Sequence, residues 1–227
     1  MYRKVRATQR RMKINEIFDS IDGEGLRTGE LATFIRLAGC NLRCRYCDTG
    51  YALSAKDGAE MSIEQIIEKV KAFKNKNITL TGGEPLIHER TGDLIKALND
   101  FNINIETNGS VDIEPYTSFP NVLITMDYKT SSSGERDKML LSNIKKLRES
   151  DVLKIVMSSK DKQEVFDLLN DNEIKSYVYL SPIYGECDPK ELVDFLKHLR
   201  ASGIDVSKTR VQVQLHKIIW EPDERGV

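Results

Sequence analysis

Short apolar runs alternate with stretches of helical periodicity along most of this chain, and that alternation restricts its fold more than any other feature. Ala32 to Leu37, Asn77 to Leu80, Ile103 to Glu106, Val122 to Met126, Leu153 to Met157, Tyr177 to Leu180 and Arg210 to Leu215 read as strands. Between them, helices are expected from Ser62, near Thr91 to Asp100, near Lys138 to Glu149, from Lys162 to Leu169 and from Pro189 to Ala201. Ser62 with Gln65 three residues on forms a capping box, and Ile63, Ile66, Ile67, Val70 and Phe73 supply an apolar face. Strands joined through helices pair in parallel by right-handed crossovers, which gives an α/β sheet or barrel. The count falls short of eight β/α units, so an incomplete, reduced (β/α) barrel is the expected form. Its working loops would follow the carboxyl ends of the strands.

The 227 residues fit one domain, expected over 14–227, with a core large enough to need no disulfides. Residues 1–13 carry Arg3, Lys4, Arg6, Arg10, Arg11 and Lys13 without an acid and read as a loose basic arm, with Met12 as an alternative start. No apolar run follows that would make it a secretory signal. Thirty-four basic and 35 acidic residues leave a net charge of −1, so no global field points to nucleic acid or a membrane surface. No run of 18 apolar residues suggests a membrane span.

Three of the four cysteines, Cys40, Cys44 and Cys47, fall within eight residues, and Cys187 lies far away. A disulfide framework spreads its cysteines, so this clustering suits a metal or cluster site in a reducing cytoplasm. Three thiolates can hold three corners of a cubane, whose usual complement is four, and leave one iron open. Zinc is the alternative, but structural zinc takes four protein ligands and no second Cys or His pair is present. Cys187 reads as a structural thiol, and His88, His198 and His216 as isolated residues.

The x3 and x2 spacing of these cysteines, with Tyr46 before the last, resembles the cluster motif of radical S-adenosylmethionine (SAM) enzymes. Thr81-Gly82-Gly83-Glu84-Pro85 resembles the superfamily's motif for the methionyl amino group, although alone it could be an ordinary β-to-α turn. The narrower resemblance is to the 7-carboxy-7-deazaguanine synthase family. It rests on Glu16 to Gly25, Phe34 to Cys40, Cys47-Asp48-Thr49, Glu106-Thr107-Asn108-Gly109 and Leu215-His216-Lys217, and extends over nearly the whole chain. Asp22 stands where that family usually has Gln, and Asp127-Tyr128-Lys129 replaces its commoner Ser-Pro-Lys.

The resemblance implies a radical SAM barrel and a lyase-type ring contraction of 6-carboxy-5,6,7,8-tetrahydropterin to 7-carboxy-7-deazaguanine. Ammonia is lost, on the way to queuosine or other deazapurines. It implies a 4Fe–4S cluster on Cys40, Cys44 and Cys47, with SAM against Tyr46, Asp48, Gly83, Glu84, Asp127, Tyr128, Lys129 and the segment Ser181, Pro182, Ile183 and Tyr184. Mg2+ would sit at Thr49. Ile21, Asp22, Gly23, Arg36, Thr81, Glu106 and Pro222 would meet the pterin. An external reductant such as flavodoxin or ferredoxin, a homodimer and a cytoplasmic location are further implications. Arg36 lies in phase with Phe34 on its strand, so it faces inward; a substrate carboxylate would pair it, and a neighbouring acid is the alternative. Two other functions share some of these features. A glycyl-radical activating enzyme would need a face for a protein partner, and a zinc-stabilised binding module would need a fourth ligand.

Overall fold

The computed structural model describes residues 11–227. It contains a nine-stranded sheet of order β3-β1-β2-β4-β5-β6-β7-β8-β9. β1 (Met12–Ile21) pairs antiparallel with both β2 (Leu31–Leu37) and β3 (Ala59–Met61). The remaining neighbours are parallel: β2 with β4 (Asn77–Gly82), then β5 (Asn102–Thr107), β6 (Val122–Lys129), β7 (Val152–Met157), β8 (Tyr177–Pro182) and β9 (Thr209–Val211). The sheet is thus an open, partial barrel with an antiparallel edge. Among the described residues no helix is long and apolar enough to cross a membrane.

Alternation along each strand separates the core from the site. Ile35 and Leu37, Ile78 and Leu80, Ile103 and Ile105, and Leu153 and Ile155 are buried in one continuous apolar core. Their neighbours Phe34 and Arg36, Thr81, Glu106, and Lys154 and Val156 line a cavity instead. The period of two in a strand thus gives the sheet one apolar face and one chemical face.

Helices α1 (Ile63–Phe73), α2 (Thr91–Ala97), α3 (Glu114–Thr117), α4 (Lys162–Asp171) and α5 (Pro189–Ala201) cover the apolar face, whereas α6 (His216–Ile219) lies at the cavity. The capping box at Ser62 is present, with Ser62 accepting from the Gln65 N–H and Gln65 reaching back to the Ser62 N–H. Three expectations change. Lys138 to Glu149 is not an α-helix but two short 3-10 pieces, Arg136–Lys138 and Leu141–Lys146. The cause is Asn143, whose buried amide donates to Gly109 O and Val111 O and accepts from the Ile113 N–H, drawing the segment onto a neighbouring loop. The last strand is shorter than expected, Thr209–Val211, because the chain turns into α6 to cover the site. Met12 and Lys13, expected in the arm, belong to β1, where Met12 is buried opposite Met61. The rest of the arm, up to Arg10, lies outside the described residues.

Candidate active site

The cysteine loop leaves β2 through Gly39, whose φ of 111° is one that favours glycine. Hydrogen bonds hold the loop from several sides. Gly39 and Cys40 donate their N–H groups to Ala52 O and Leu53 O at 2.8 and 3.0 Å. The Arg43 N–H donates to Glu135 at 2.8 Å, and the Arg45 N–H to Ser133 O at 2.9 Å. The Arg45 guanidinium adds a bidentate pair with Glu186 at 2.6 and 2.9 Å.

The loop after β4 closes on it from below. The Glu84 N–H donates to Gly39 O at 2.9 Å and the Gly83 N–H to Leu37 O at 3.0 Å. Gly83 is obligatory here, since a Cβ would lie 2.2 Å from Gly39 O and 2.8 Å from the Cys40 Cβ. Asn108 then reaches Cys40 Sγ at 3.7 Å and Asn41 Oδ1 at 3.1 Å through its amide.

Cys40, Cys44 and Cys47 line one cavity of about 490 Å³, the size class of a small-molecule site. Cys187 is not part of it; it is buried in the apolar core. The donor set suits a cluster. Three free thiols share the cavity, and Cys40 Sγ already receives the Leu42 N–H at 3.4 Å and the Asn108 amide, the donors that steady a cluster thiolate. Burial pushes the Cys44 and Cys47 thiols up, with Lys129 opposing it at Cys44. Bare thiolates are therefore costly there, and bound iron would supply the missing positive charge. Among the described residues no three His, Cys, Asp or Glu side chains converge as one mononuclear ion would require.

The opposite wall carries charge. Lys129 pairs with Asp127 at 2.7 Å, and Lys154 reaches Asp127 at 3.2 Å and Glu24 at 3.1 Å. Burial works against each of these charges, but the ammonium groups prevail and Asp127 lies below the usual carboxylate range. Lys154, beside Asp127, Glu24 and Glu106, is held well above its ordinary value. Burial raises Glu106, with Lys154 opposing it. Burial also opposes the charge on Asp48, yet Lys217, the Thr49 hydroxyl and Lys154 hold it down at about 2.

On the third wall Arg36 Nε pairs with Glu16 at 2.7 Å while its guanidinium lies 5.7 Å from the rings of both Phe18 and Tyr51. A bulge between Ile14 and Glu16 shifts the register and sets Glu16 opposite Arg36. The acid expected as Arg36's alternative partner is thus present, and Arg36 lines the cavity as well.

The other expected residues divide cleanly. Tyr46, Asp48, Thr49, Gly83, Asp127, Lys129, Ile183 and Tyr184 line the cavity, as do Ile21, Gly23, Thr81, Glu106 and Pro222. Five do not. Tyr128 is turned to the apolar side by strand alternation and donates its hydroxyl to Glu164 at 3.1 Å. Glu84 is fully buried, its carboxylate taken by the Thr107 hydroxyl and the Asn108 and Leu86 N–H groups at 2.8, 2.6 and 2.9 Å. Ser181 accepts from Gln212 at 2.6 Å, and Pro182 sits in register with Met157. Asp22 pairs with Arg27 at 2.9 Å and accepts from Thr79 at 2.5 Å, so its carboxylate is spent within the fold.

Glu24, Lys154, His216 and Lys217 line the cavity without having been expected there. Lys154 carried a signal: it is a lone charge in Val152-Leu153-Lys154-Ile155-Val156, which a buried strand tolerates only with partners. His216 left a trace in Gly23, where a Cβ would meet His216 Nδ1 at 2.4 Å.

The radical SAM superfamily model matches residues 34–158, which contain the cysteine loop and most of the parallel strands. A 7-carboxy-7-deazaguanine synthase from Clostridium acetobutylicum is 42% identical over 224 residues, covering 95% of this chain and 99% of that protein. The chain belongs to the 7-carboxy-7-deazaguanine synthase family of the radical SAM superfamily. A synthase of the same name from Leptospira interrogans is 36% identical over 94% of this chain and 97% of its own length. The crystal structure of QueE from Escherichia coli shares the fold, with a TM-score of 0.69 over 91% of this chain and 95% of that one at 24% identity. Membership of the superfamily brings a 4Fe–4S cluster and SAM as cofactors.

Proposed function

We propose that this protein contracts the ring of 6-carboxy-5,6,7,8-tetrahydropterin to 7-carboxy-7-deazaguanine with loss of ammonia. One observation carries the reading: the cavity that holds the three cluster thiols also presents Arg36, Thr81 and Glu106. Cys40, Cys44 and Cys47 would hold the cluster. Asp127 and Lys129 would meet the polar groups of SAM beside Tyr46 and Gly83. Together these cofactors supply hydrogen-atom abstraction when bound.

The chain's own residues do the rest. Arg36 offers a guanidinium to the substrate carboxylate, a match that is bidentate by geometry. Glu16 and the rings of Phe18 and Tyr51 fix its plane. Glu106 and the Thr81 hydroxyl accept from the N–H edge of the pterin. Glu221 and Pro222 line the cavity and would restrict water once substrate is bound.

Mg2+ belongs to the same reading. Thr49 donates its hydroxyl to Asp48 at 2.9 Å, so two oxygens of the hard type magnesium prefers stand side by side at the cavity wall. Thr49→Ala should lose most of the response of turnover to added magnesium and keep the iron content. Cys47 is exposed, which allows an external one-electron donor, a flavodoxin or ferredoxin, to approach the cluster. A homodimer is part of the family reading.

Incubation of the anaerobically reconstituted, reduced protein with SAM and the carboxypterin should yield the deazaguanine, seen by mass and ultraviolet spectrum. An intact cluster that cleaves SAM without forming that product would point instead to a glycyl-radical activating enzyme. Stoichiometric zinc with no cluster would point to a binding module.

A further inference from the structure

Lys154 lies on β7 directly opposite Asp127 on β6, and its ammonium is the junction between two parts of the cavity. It reaches Asp127 at 3.2 Å and Glu24 at 3.1 Å, and only a tenth of its side chain is exposed. The two carboxylates are not equivalent. Asp127 has a second cation, Lys129, at 2.7 Å. Glu24 has Lys154 as its ion-pair partner and otherwise accepts from the neutral Gln212 amide at 3.3 Å. Gln212 in turn accepts the Gly25 N–H at 2.8 Å and donates to Ser181 at 2.6 Å. This arrangement anchors the Asp22-Gly23-Glu24-Gly25 turn at both its carboxylate and its backbone, and Gly23 and Glu24 from that turn face the cavity.

We propose that Lys154 is the positioning residue of the substrate side: it ties the Glu24 turn to the sheet and gives Glu106 the cation against which it accepts a substrate N–H. The inference rests on the pterin reading for the identity of the ligand. The chemistry it serves is an amino-pyrimidinone edge, which presents adjacent N–H donors and is shared by the pterin and the deazaguanine product. An unbalanced cluster of carboxylates would hold such an edge poorly, because each would turn away from the others or take up a proton.

The geometry makes an asymmetric forecast. Removing Lys154 leaves Asp127 with Lys129 but Glu24 with no ammonium, so the loss falls on substrate and spares SAM. Equilibrium dialysis of the reconstituted holoenzyme with 7-carboxy-7-deazaguanine and, separately, with SAM reads both. Lys154→Met should weaken deazaguanine binding and raise the pterin KM by about ten- to a hundredfold, the range for losing a hydrogen-bonded charge partner. SAM binding should stay within about twofold, since Asp127 keeps its second partner. Lys154→Arg should recover most of the loss.

A pH series adds a readout that a purely structural role would not move. The charges acting most on Glu106 are Lys154, Glu24 and Asp22, with the Thr81 hydroxyl donating to it; His216, which shares the cavity and acts on Glu24 and Lys154, is held below its ordinary value by burial. Without Lys154, burial and the like charges of Glu24 and Asp22 favour the protonated acid, and the Thr81 hydrogen bond alone opposes them. The Lys154→Met deficit should therefore be larger at about pH 6.5 than at about pH 8.5. Equal loss of SAM and deazaguanine binding, a deficit indifferent to pH, or no deficit would each overturn the assignment. If the Met variant does not fold, Lys154→Gln, which is one bond shorter than lysine but keeps a hydrogen-bond donor without the charge, carries the same forecast. A wild-type enzyme that does not turn over the pterin would sink the functional reading; wild-type turnover with an indifferent Lys154 variant would sink the Lys154 role alone.

Discussion

Gly83→Ala tests the claim that the cluster loop is seated on backbone rather than held by the metal alone. The added methyl would lie 2.2 Å from Gly39 O, 2.5 Å from Gly39 C and 2.8 Å from the Cys40 Cβ. Two of these atoms are backbone and cannot rotate away, so the loops after β2 and β4 must separate. Separation breaks the 2.9 Å bond from the Glu84 N–H to Gly39 O. Overpacking of this kind costs ~1–3 kcal/mol and a lost hydrogen bond ~0.5–1.5, together about 2–4 kcal/mol. For a chain of this size that corresponds to a fall in melting temperature of roughly 5–15 °C. Calorimetry on the cluster-free protein would measure it, and iron content after anaerobic reconstitution would show whether Cys40 has left its place. Gly92→Ala is the control: nothing lies within 4 Å of its added Cβ in α2, so alanine there should raise stability. A Gly83→Ala protein that melts with the wild type and takes up full iron would refute the packing argument.

Cys44→Ala should abolish cluster assembly, whereas Cys187→Ala should keep full iron content and lose only packing, as colorimetric iron and absorbance would show. Arg36→Ala should retain the cluster yet lower kcat/KM for the carboxypterin by about 2–5 kcal/mol of binding, the range for truncating a buried charge pair, measured under anaerobic steady-state conditions. Glu84 links stability to pH. Burial raises its carboxyl from 4.5 to about 7, against the pull of the Asn108 and Leu86 N–H groups and the Thr107 hydroxyl. Between those values the unfolded chain has released the proton and the folded one keeps it, so this group's contribution is full below 4.5 and is lost as pH rises through about 7. Denaturant titrations across that window should show the decline in the wild type and a flatter profile in Glu84→Gln.

Most of the parallel sheet was legible because each strand's apolar residues recur with a period of two and each turn carries its own chemistry. The same period, applied more strictly, separates the site residues that face the cavity from those that do not. Asp127 and Lys129 are two apart on β6 and face inward together; Tyr128 between them has to face the helices, where it donates to Glu164. Family motifs are written as contiguous letters, so Tyr128 travels with its neighbours in a motif and parts from them in space. Glu84 shows a different limit. Its motif places a carboxylate beside a ligand loop, but spacing along the chain cannot reveal that Thr107 and Asn108, at the end of the next strand, have already claimed both oxygens. Asp22 is the same case with Arg27 and Thr79 as claimants. Lys154 is the reverse. No local motif marks it, yet a lysine in an unbroken apolar strand has to meet partners from elsewhere, and the fold supplies Glu24 from 130 positions away. The residues that sequence reading missed are therefore those whose partners are distant in the chain, and charge inside an apolar strand is the sign by which such residues can be found.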